Sequence, residues 1–337
     1  MATIKEIAAK SGYSPATVSR LLNNDQNLSI SPATRNKIMT VANELGYWNN
    51  RQKRDKNPIR PNIALLYRVS GKEQLQDEYF TSLRDKIIEE TDKAGLQIEV
   101  FNSINSLIAA AKSFQGFIGV GADRVTYDQL VKLHQHLPNG VFADINPTPR
   151  LFDSVQPNLE LTIQDAIQRL IKAEYHRIGF IGGTGLKLDN IQQPDAREIA
   201  FREFTSLQDV TEAPMFVKGP FNVKNGYQLG KKVIEQGKER LPEAFIIASD
   251  TLSVGVLQAF NEAGILIPRD AVVISINNSE IARYVSPPLT SYNINQQTLS
   301  RMAIELLQDL IIHPDRPHVH LKVNTNIIYR KSFPNTN

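Results

Sequence analysis

Two glycine-rich runs, Gly119-Val120-Gly121 and Gly182-Gly183-Thr184-Gly185, are the places where this chain could cradle a phosphate. The first never reaches the third glycine of a dinucleotide fingerprint, and the second is not followed by the Gly-Lys-Ser/Thr of a P-loop. No Gly-x-Ser-x-Gly elbow presents a serine nucleophile. Zero cysteines exclude a thiolate nucleophile, thiolate metal ligands and disulfides, and fit a reducing compartment. His134/His136 and His318/His320 are spaced i,i+2 with no carboxylate pattern nearby. They read as surface or structural histidines, so no metal site is expected. Glu89-Glu90 reads as a solvated helix face. Catalysis is not expected, and neither is a cofactor.

Chemistry directed at a polyanion is concentrated at one end. The chain carries 38 Lys+Arg and 35 Asp+Glu, a net +3 over 337 residues. Residues 1–60 hold ten of the basic residues and four of the acids, a net +6, leaving −3 for the rest. A small basic head on a mildly acidic body points to nucleic acid at the head and a separate task for the body.

The elements that position the head's side chains follow from capping signals and helical periodicity. Thr3 and Glu6 form a capping-box pattern ahead of Ile4, Ile7 and Ala8, and Gly12 ends the run. Ser14 caps a second helix with Pro15 in its first turn. Val18, Leu21 and Leu22 point inward there, while Thr17, Ser19 and Arg20 stay outside. Ser31-Pro32 starts a third helix, which buries Ile38, Val41, Ala42 and Leu45 and stops at Gly46. Two helices joined by a short turn, the second polar and basic outside, match a helix-turn-helix whose second helix enters the DNA major groove. The alternative is a small helical bundle for protein contacts.

Thr3-Ile4-Lys5-Glu6-Ile7-Ala8, Pro15 through Asn23, Thr34-Arg35 and Glu44-Leu45-Gly46-Tyr47 resemble the DNA-binding head of the lactose/galactose repressor (LacI/GalR) family. The resemblance places base-reading positions on Pro15 and Ala16, flanked by Ser14 and Thr17, with Arg20 one turn on. Pro15 and Ala16 offer only apolar contact, such as with a thymine methyl, so Arg20 is the main donor, to guanine. Residues 48–61 form a linker in which Arg51, Lys53, Arg54 and Lys56 are expected to meet phosphates. Family members place a hinge helix with a wedging Leu there. In this sequence Lys56 falls at the wedge position, and no apolar residue lies between Trp48 and Ile59. A basic strap ordered by DNA is expected instead of a wedge, the alternative being a solvated tether.

From Asn62 onward, short apolar runs alternate with helical segments. Ile63–Tyr67, Ile98–Phe101, Gly116–Val120 and Val141–Ala143 make one series. Arg177–Ile181, Phe245–Ala248 and Val272–Ile276 make a second. The fold class expected is α/β: an all-α helix-turn-helix head, then a two-lobed body with parallel sheets covered on both faces. A ligand would bind at the carboxyl ends of the strands, between lobes. The expected domains are residues 1–47, the linker 48–61 and the body 62–337. The first lobe is expected to comprise about 62–157 and 290–318, the second about 158–289 and 319–337.

His176 through Gly183, Ala196 through Phe201, Ala248-Ser249-Asp250, Ile274 through Asn278 and Pro287-Pro288-Leu289-Thr290 resemble the same family's sugar-binding core, which is related to periplasmic binding proteins. They look closest to repressors of β-galactosidase and galactose operons. The resemblance implies effector contacts at Asp144, Arg197, Phe221, Ser249, Asn277 and Gln296. Carboxylate, guanidinium and amide groups suit a sugar's hydroxyl rim, and an aromatic suits its C–H face. Asp250 is expected to be a structural cap.

The expectation is a cytoplasmic transcriptional repressor that binds operator DNA as a homodimer and lets go when a galactoside closes the body. No apolar run approaches the ~20 residues of a membrane span, and the first residues carry no export signal. The alternatives are a purine-type corepressor-dependent regulator, an activator of the same architecture, or a sugar- or nucleoside-processing enzyme.

Overall fold

The computed structural model describes residues 3–22, 28, 30–45, 47, 62–69, 78–189 and 191–334. Arg51, Lys53, Arg54, Lys56 and the helix stop expected at Gly46 lie outside the described residues. In the head, α1 (Ile4–Ser11) opens with the reciprocal Thr3–Glu6 capping box and closes on Gly12, whose φ of 80° is left-handed. Ser14 Oγ accepts the Thr17 amide at 3.1 Å to start α2 (Pro15–Leu22). Ser31 does the same for Thr34 to start α3 (Pro32–Glu44). The inward stripes meet in one small core of Ile7, Ala8, Val18, Leu21, Leu22, Ile38, Val41, Ala42 and Tyr47.

The body contains two six-stranded sheets. The first runs β13 (His320–Val323), β5 (Asp153–Pro157), β4 (Gly140–Ala143), β3 (Gly116–Val120), β1 (Asn62–Tyr67), β2 (Gln97–Phe101), all parallel. The second runs β14 (Asn326–Ile328), β12 (Thr290–Asn293), β11 (Val272–Asn277), β10 (Ala244–Ile247), β6 (Ile178–Gly182), β9 (Met215–Val217), with only β14 antiparallel. Successive residues of β1 serve opposite faces, as a pleated strand requires. Ile63, Leu65 and Tyr67 join one core, and Ala64 and Leu66 join a separate cluster with Phe117, Phe142 and Phe152. Each sheet reverses its winding beside its first strand, at β1/β3 and at β6/β10, where a doubly wound sheet opens a crevice beyond the strand ends.

The helices are α4 (Glu78–Lys93), α5 (Ile104–Ala110), α6 (Tyr127–His136), α7 (Leu159–Lys172), α8 (Ala196–Thr205), α9 (Val223–Ile234), α10 (Asp250–Glu262) and α11 (Gln296–Ile312). The chain crosses between lobes after Pro157, after Asn293 and after Val323. Short polar side chains tie the crossings together. Asn158 Nδ2 donates to Asn324 Oδ1 at 2.9 Å, Asn293 Nδ2 to Asn326 Oδ1 at 3.3 Å, and the Thr162 and Thr325 hydroxyls lie 2.8 Å apart.

Two lobe boundaries differ from the sequence-based expectation. Thr290–Asn293 pairs with β11 and belongs to the second lobe, whereas His320–Val323 pairs with β5 and belongs to the first. Both strands are short and lack a continuous apolar run: His320–Val323 alternates at the sheet edge, and the buried hydroxyls of Thr290 and Ser291 donate to the Phe333 carbonyl and to Asp250.

Candidate functional site

A cleft of about 830 Å³ separates the lobes at the strand ends. Asp144 and Tyr79 line it from the first lobe, and Arg197, Phe221, Ser249 and Asn277 from the second. Asp144 follows β4 in the left-handed region, at φ 77°, which Asp adopts more readily than most residues. The Tyr79 hydroxyl donates to Asp144 Oδ1 at 2.7 Å, and Gln156 Nε2 donates to the Asp144 carbonyl at 3.0 Å. The carboxylate is thereby aimed before any ligand arrives.

Arg197 lies in the first turn of α8 and is largely buried. Its Nε and Nη2 donate to the two oxygens of Asp195, at 2.7 and 2.8 Å, and Nη1 donates to the Ala248 carbonyl at 2.7 Å. Of the five guanidinium N–H groups, one remains on each terminal nitrogen for a ligand. Burial works against the Arg197 charge, but Asp195, and more weakly Asp144 and Tyr79, outweigh it and raise its pKa further. Burial likewise pushes the Asp195 carboxyl up, and the Arg197 charge and hydrogen bonds pull it below its usual range. Asp195 is also the cap of α8, accepting the Arg197 amide at 2.9 Å.

The guanidinium carbon of Arg197 stands 4.5 Å from the centre of the Phe221 ring, a cation–π distance. One ring face is therefore occupied by Arg197. Gly183 makes room for this ring, since a Cβ there would lie 2.8 Å from it. Asn277 ends β11 at φ 110°, a strained value for a residue with a side chain.

Ser249 and Gln296 have structural duties. Ser249 is 1% exposed, and its Oγ caps α10 by accepting the Leu252 amide at 3.2 Å. Asp250, expected as a cap, is instead a buried junction. Its carboxylate accepts from Ser279 N and Oγ and from Ser291 Oγ, at 2.7, 2.9 and 2.7 Å. Gln296 is not among the residues lining the cleft. It donates through Nε2 to the Tyr79 carbonyl at 2.8 Å and so supports the tyrosine that holds Asp144.

Sequence reasoning missed Tyr79, Gln156 and Asp195. Asp195 left a signal, an N-cap Asp two residues before the Arg. Tyr79 left none, because 65 positions separate it from Asp144.

In the head, Ser14, Pro15, Ala16 and Arg20 are exposed along α2 and Thr17 is half-buried. The Ser14 and Thr17 hydroxyls lie 2.9 Å apart, which fixes the polar edge of the helix start. Among the histidines, His318 Nδ1 is 3.0 Å from the buried Asp153, and His320 Nδ1 is 3.0 Å from Ser154 Oγ. The carboxylate partner that the local sequence lacks is thus supplied from a distant strand. Among the described residues, no group of His, Asp and Glu is arranged to hold a metal ion, and no helix is long and apolar enough to cross a membrane.

Comparison with known proteins accords with both parts. Residues 3–50 match the model for bacterial regulatory proteins of the lacI family, and residues 167–333 match a periplasmic binding protein-like domain. The chain is 55% identical to the HTH-type transcriptional regulator LacR of Lactobacillus helveticus, over 99% of this chain and 98% of that one. The lac repressor dimer bound to operator and the anti-inducer ONPF superposes with a TM-score of 0.66 at 19% identity, covering 99% of each chain. A LacI-family regulator from Arthrobacter sp. FB24, in complex with lactose, superposes with a TM-score of 0.67 at 16% identity over 81% of this chain and 99% of that one.

Proposed function

The chain belongs to the lacI family of bacterial regulatory proteins and is a DNA-binding transcriptional regulator with a ligand-binding body, and on that premise we propose that it represses a galactoside-utilisation operon. The observation that carries this reading is the pairing across the cleft of an aimed carboxylate, Asp144, with a buried, counter-charged guanidinium, Arg197. With the Asn277 amide beside them, acceptors and donors are placed for hydroxyls from both lobes. The 55% identity to LacR of Lactobacillus helveticus over nearly the whole chain supports a galactoside over a purine.

The working form is a cytoplasmic homodimer. A pseudo-palindromic operator needs two heads related by a two-fold axis, and the body supplies the interface. A sugar that touches both lobes stabilises the closed cleft over the open one, and this difference shifts the regulator from its operator-bound state. By linkage, sugar must weaken operator affinity by the factor by which operator weakens sugar affinity.

Melting-temperature screens with lactose, galactose and purines, followed by operator binding with each hit, test the reading. A galactoside that raises the melting temperature and releases operator supports it. A purine that tightens operator binding would overturn it.

A further inference from the structure

We infer that the hairpin β7 (Lys187–Leu188) and β8 (Ile191–Gln192) of the second lobe is a gate on the cleft, held shut against the first lobe by Leu188 and Asp189. This deepens the effector-site reading and rests on it. The hairpin leaves β6 just beyond its carboxyl end and returns to the cap of α8. Along the way Leu186, Lys187, Gln192 and Gln193 line the cleft. Its stem is braced internally, with Gln193 N donating to the Leu186 carbonyl at 2.8 Å and Gln192 Nε2 to the same oxygen at 3.3 Å. A Cβ on Gly185 would sit 2.7 Å from the Gln193 carbonyl, so the stem strands are in close contact. Such a stem moves as one piece.

Two independent contacts cross from its tip to the first lobe. Leu188 is half-buried against the apolar cluster that contains Val125 and Leu130. Asp189, at φ 49°, accepts the Tyr127 amide through Oδ1 at 3.0 Å. That amide is the first N–H of α6. The capping box of Thr126 and Gln129 satisfies other donors of the same end, at 3.3 and 3.1 Å, and leaves this one to the hairpin. The amino end of a helix also favours a carboxylate electrostatically. Neither Leu188 nor Asp189 belongs to the Asp144–Arg197 constellation. Their role is to keep the lobes and the mouth of the cleft together, so that a ligand leaves only after both contacts break.

The absence of cysteine makes the test clean. Ile145→Cys places a single thiol on the cleft wall, where its reaction with an uncharged maleimide reports access without any ligand. Asp189→Ala and Leu188→Ser, each added to this background, should speed labelling by about two- to tenfold, the yield of one lost contact of ordinary strength. Asp189→Asn, which keeps an acceptor and tolerates the left-handed backbone, should restore most of the protection. Unchanged labelling in both Asp189→Ala and Leu188→Ser overturns the gate. Lactose dissociation followed by stopped flow should accelerate in the same two variants. If labelling accelerates but neither lactose nor galactose binds the parent chain, the sugar reading fails and the gate stands.

Discussion

Arg197 rests on Asp195 as a fork on a fork, with contacts of 2.7 and 2.8 Å, and the two side chains are 12% and 14% exposed. A pair this buried contributes little net stability, yet removing one partner leaves the other charge stranded. Asp195→Asn is therefore expected to lower stability by about 3 kcal/mol. It should also weaken galactoside binding, because the guanidinium loses the group that aims it. Calorimetric titration and thermal melting check both, and operator binding without sugar should be unchanged.

The same pair sets an acid limit. Asp195 is held below the ordinary carboxylate value of 3.8, so the folded protein takes up this proton less readily than the unfolded chain. Its contribution is fully present above that ordinary value and is lost as pH falls through the lower folded value. Comparing melting temperatures of the parent and Asp195→Asn from pH 7 down to pH 3 should show the gap between them narrowing only below about pH 4. A gap that closes between pH 7 and 5 would show that another group controls it.

Support for Asp144 comes through Tyr79, whose hydroxyl is 2.7 Å away and whose backbone is held by Gln296. Tyr79→Phe should weaken galactoside binding by about 1.5–3 kcal/mol, the range of a hydrogen bond to a charged group. Gln296→Ala should do the same to a smaller extent, since it acts at one remove. Equal affinities for Tyr79→Phe and the parent would mean that the ligand aims Asp144 itself.

Local signals in the sequence were sufficient wherever the determining interaction was local. The Thr3–Glu6 box, the Ser14 and Ser31 caps and the stripe from Val18 to Leu22 specify the head from contacts three or four residues apart. The buried central strands were legible for a similar reason, as continuous apolar runs. The short strands Thr290–Asn293 and His320–Val323 were misassigned because their place depends on a neighbouring strand rather than on their own composition. In the cleft, Arg197 came from the family resemblance and its partner Asp195 was missed despite a local cap signal, whereas Tyr79 depends wholly on long-range packing. Ser249 illustrates a different difficulty: a residue can line a site and spend its hydroxyl on a helix cap.

On the DNA side, Arg20 stands exposed on α2 one turn beyond Pro15 and Ala16, which lack side-chain donors. Arg20→Ala should cost about 1–3 kcal/mol on the preferred operator and relax preference at one base pair per half-site. Binding to a panel of single-substitution operators checks this, and an unchanged preference would remove Arg20 from base reading. Ser14→Ala should act differently, lowering the head's stability by about 1 kcal/mol through loss of a cap.

Titration of the regulator–operator complex with a galactoside, following release of labelled DNA in the parent and in Arg197→Lys, bears most directly on whether the cleft is the effector switch. Lysine keeps a charge opposite Asp195 and lacks the fork that reaches both Asp195 and the ligand. The expected result is release from the parent and retention by Arg197→Lys, with equal operator affinity in the absence of sugar. Release from Arg197→Lys at the parent's sugar concentration would contradict the assignment of this cleft as the effector site.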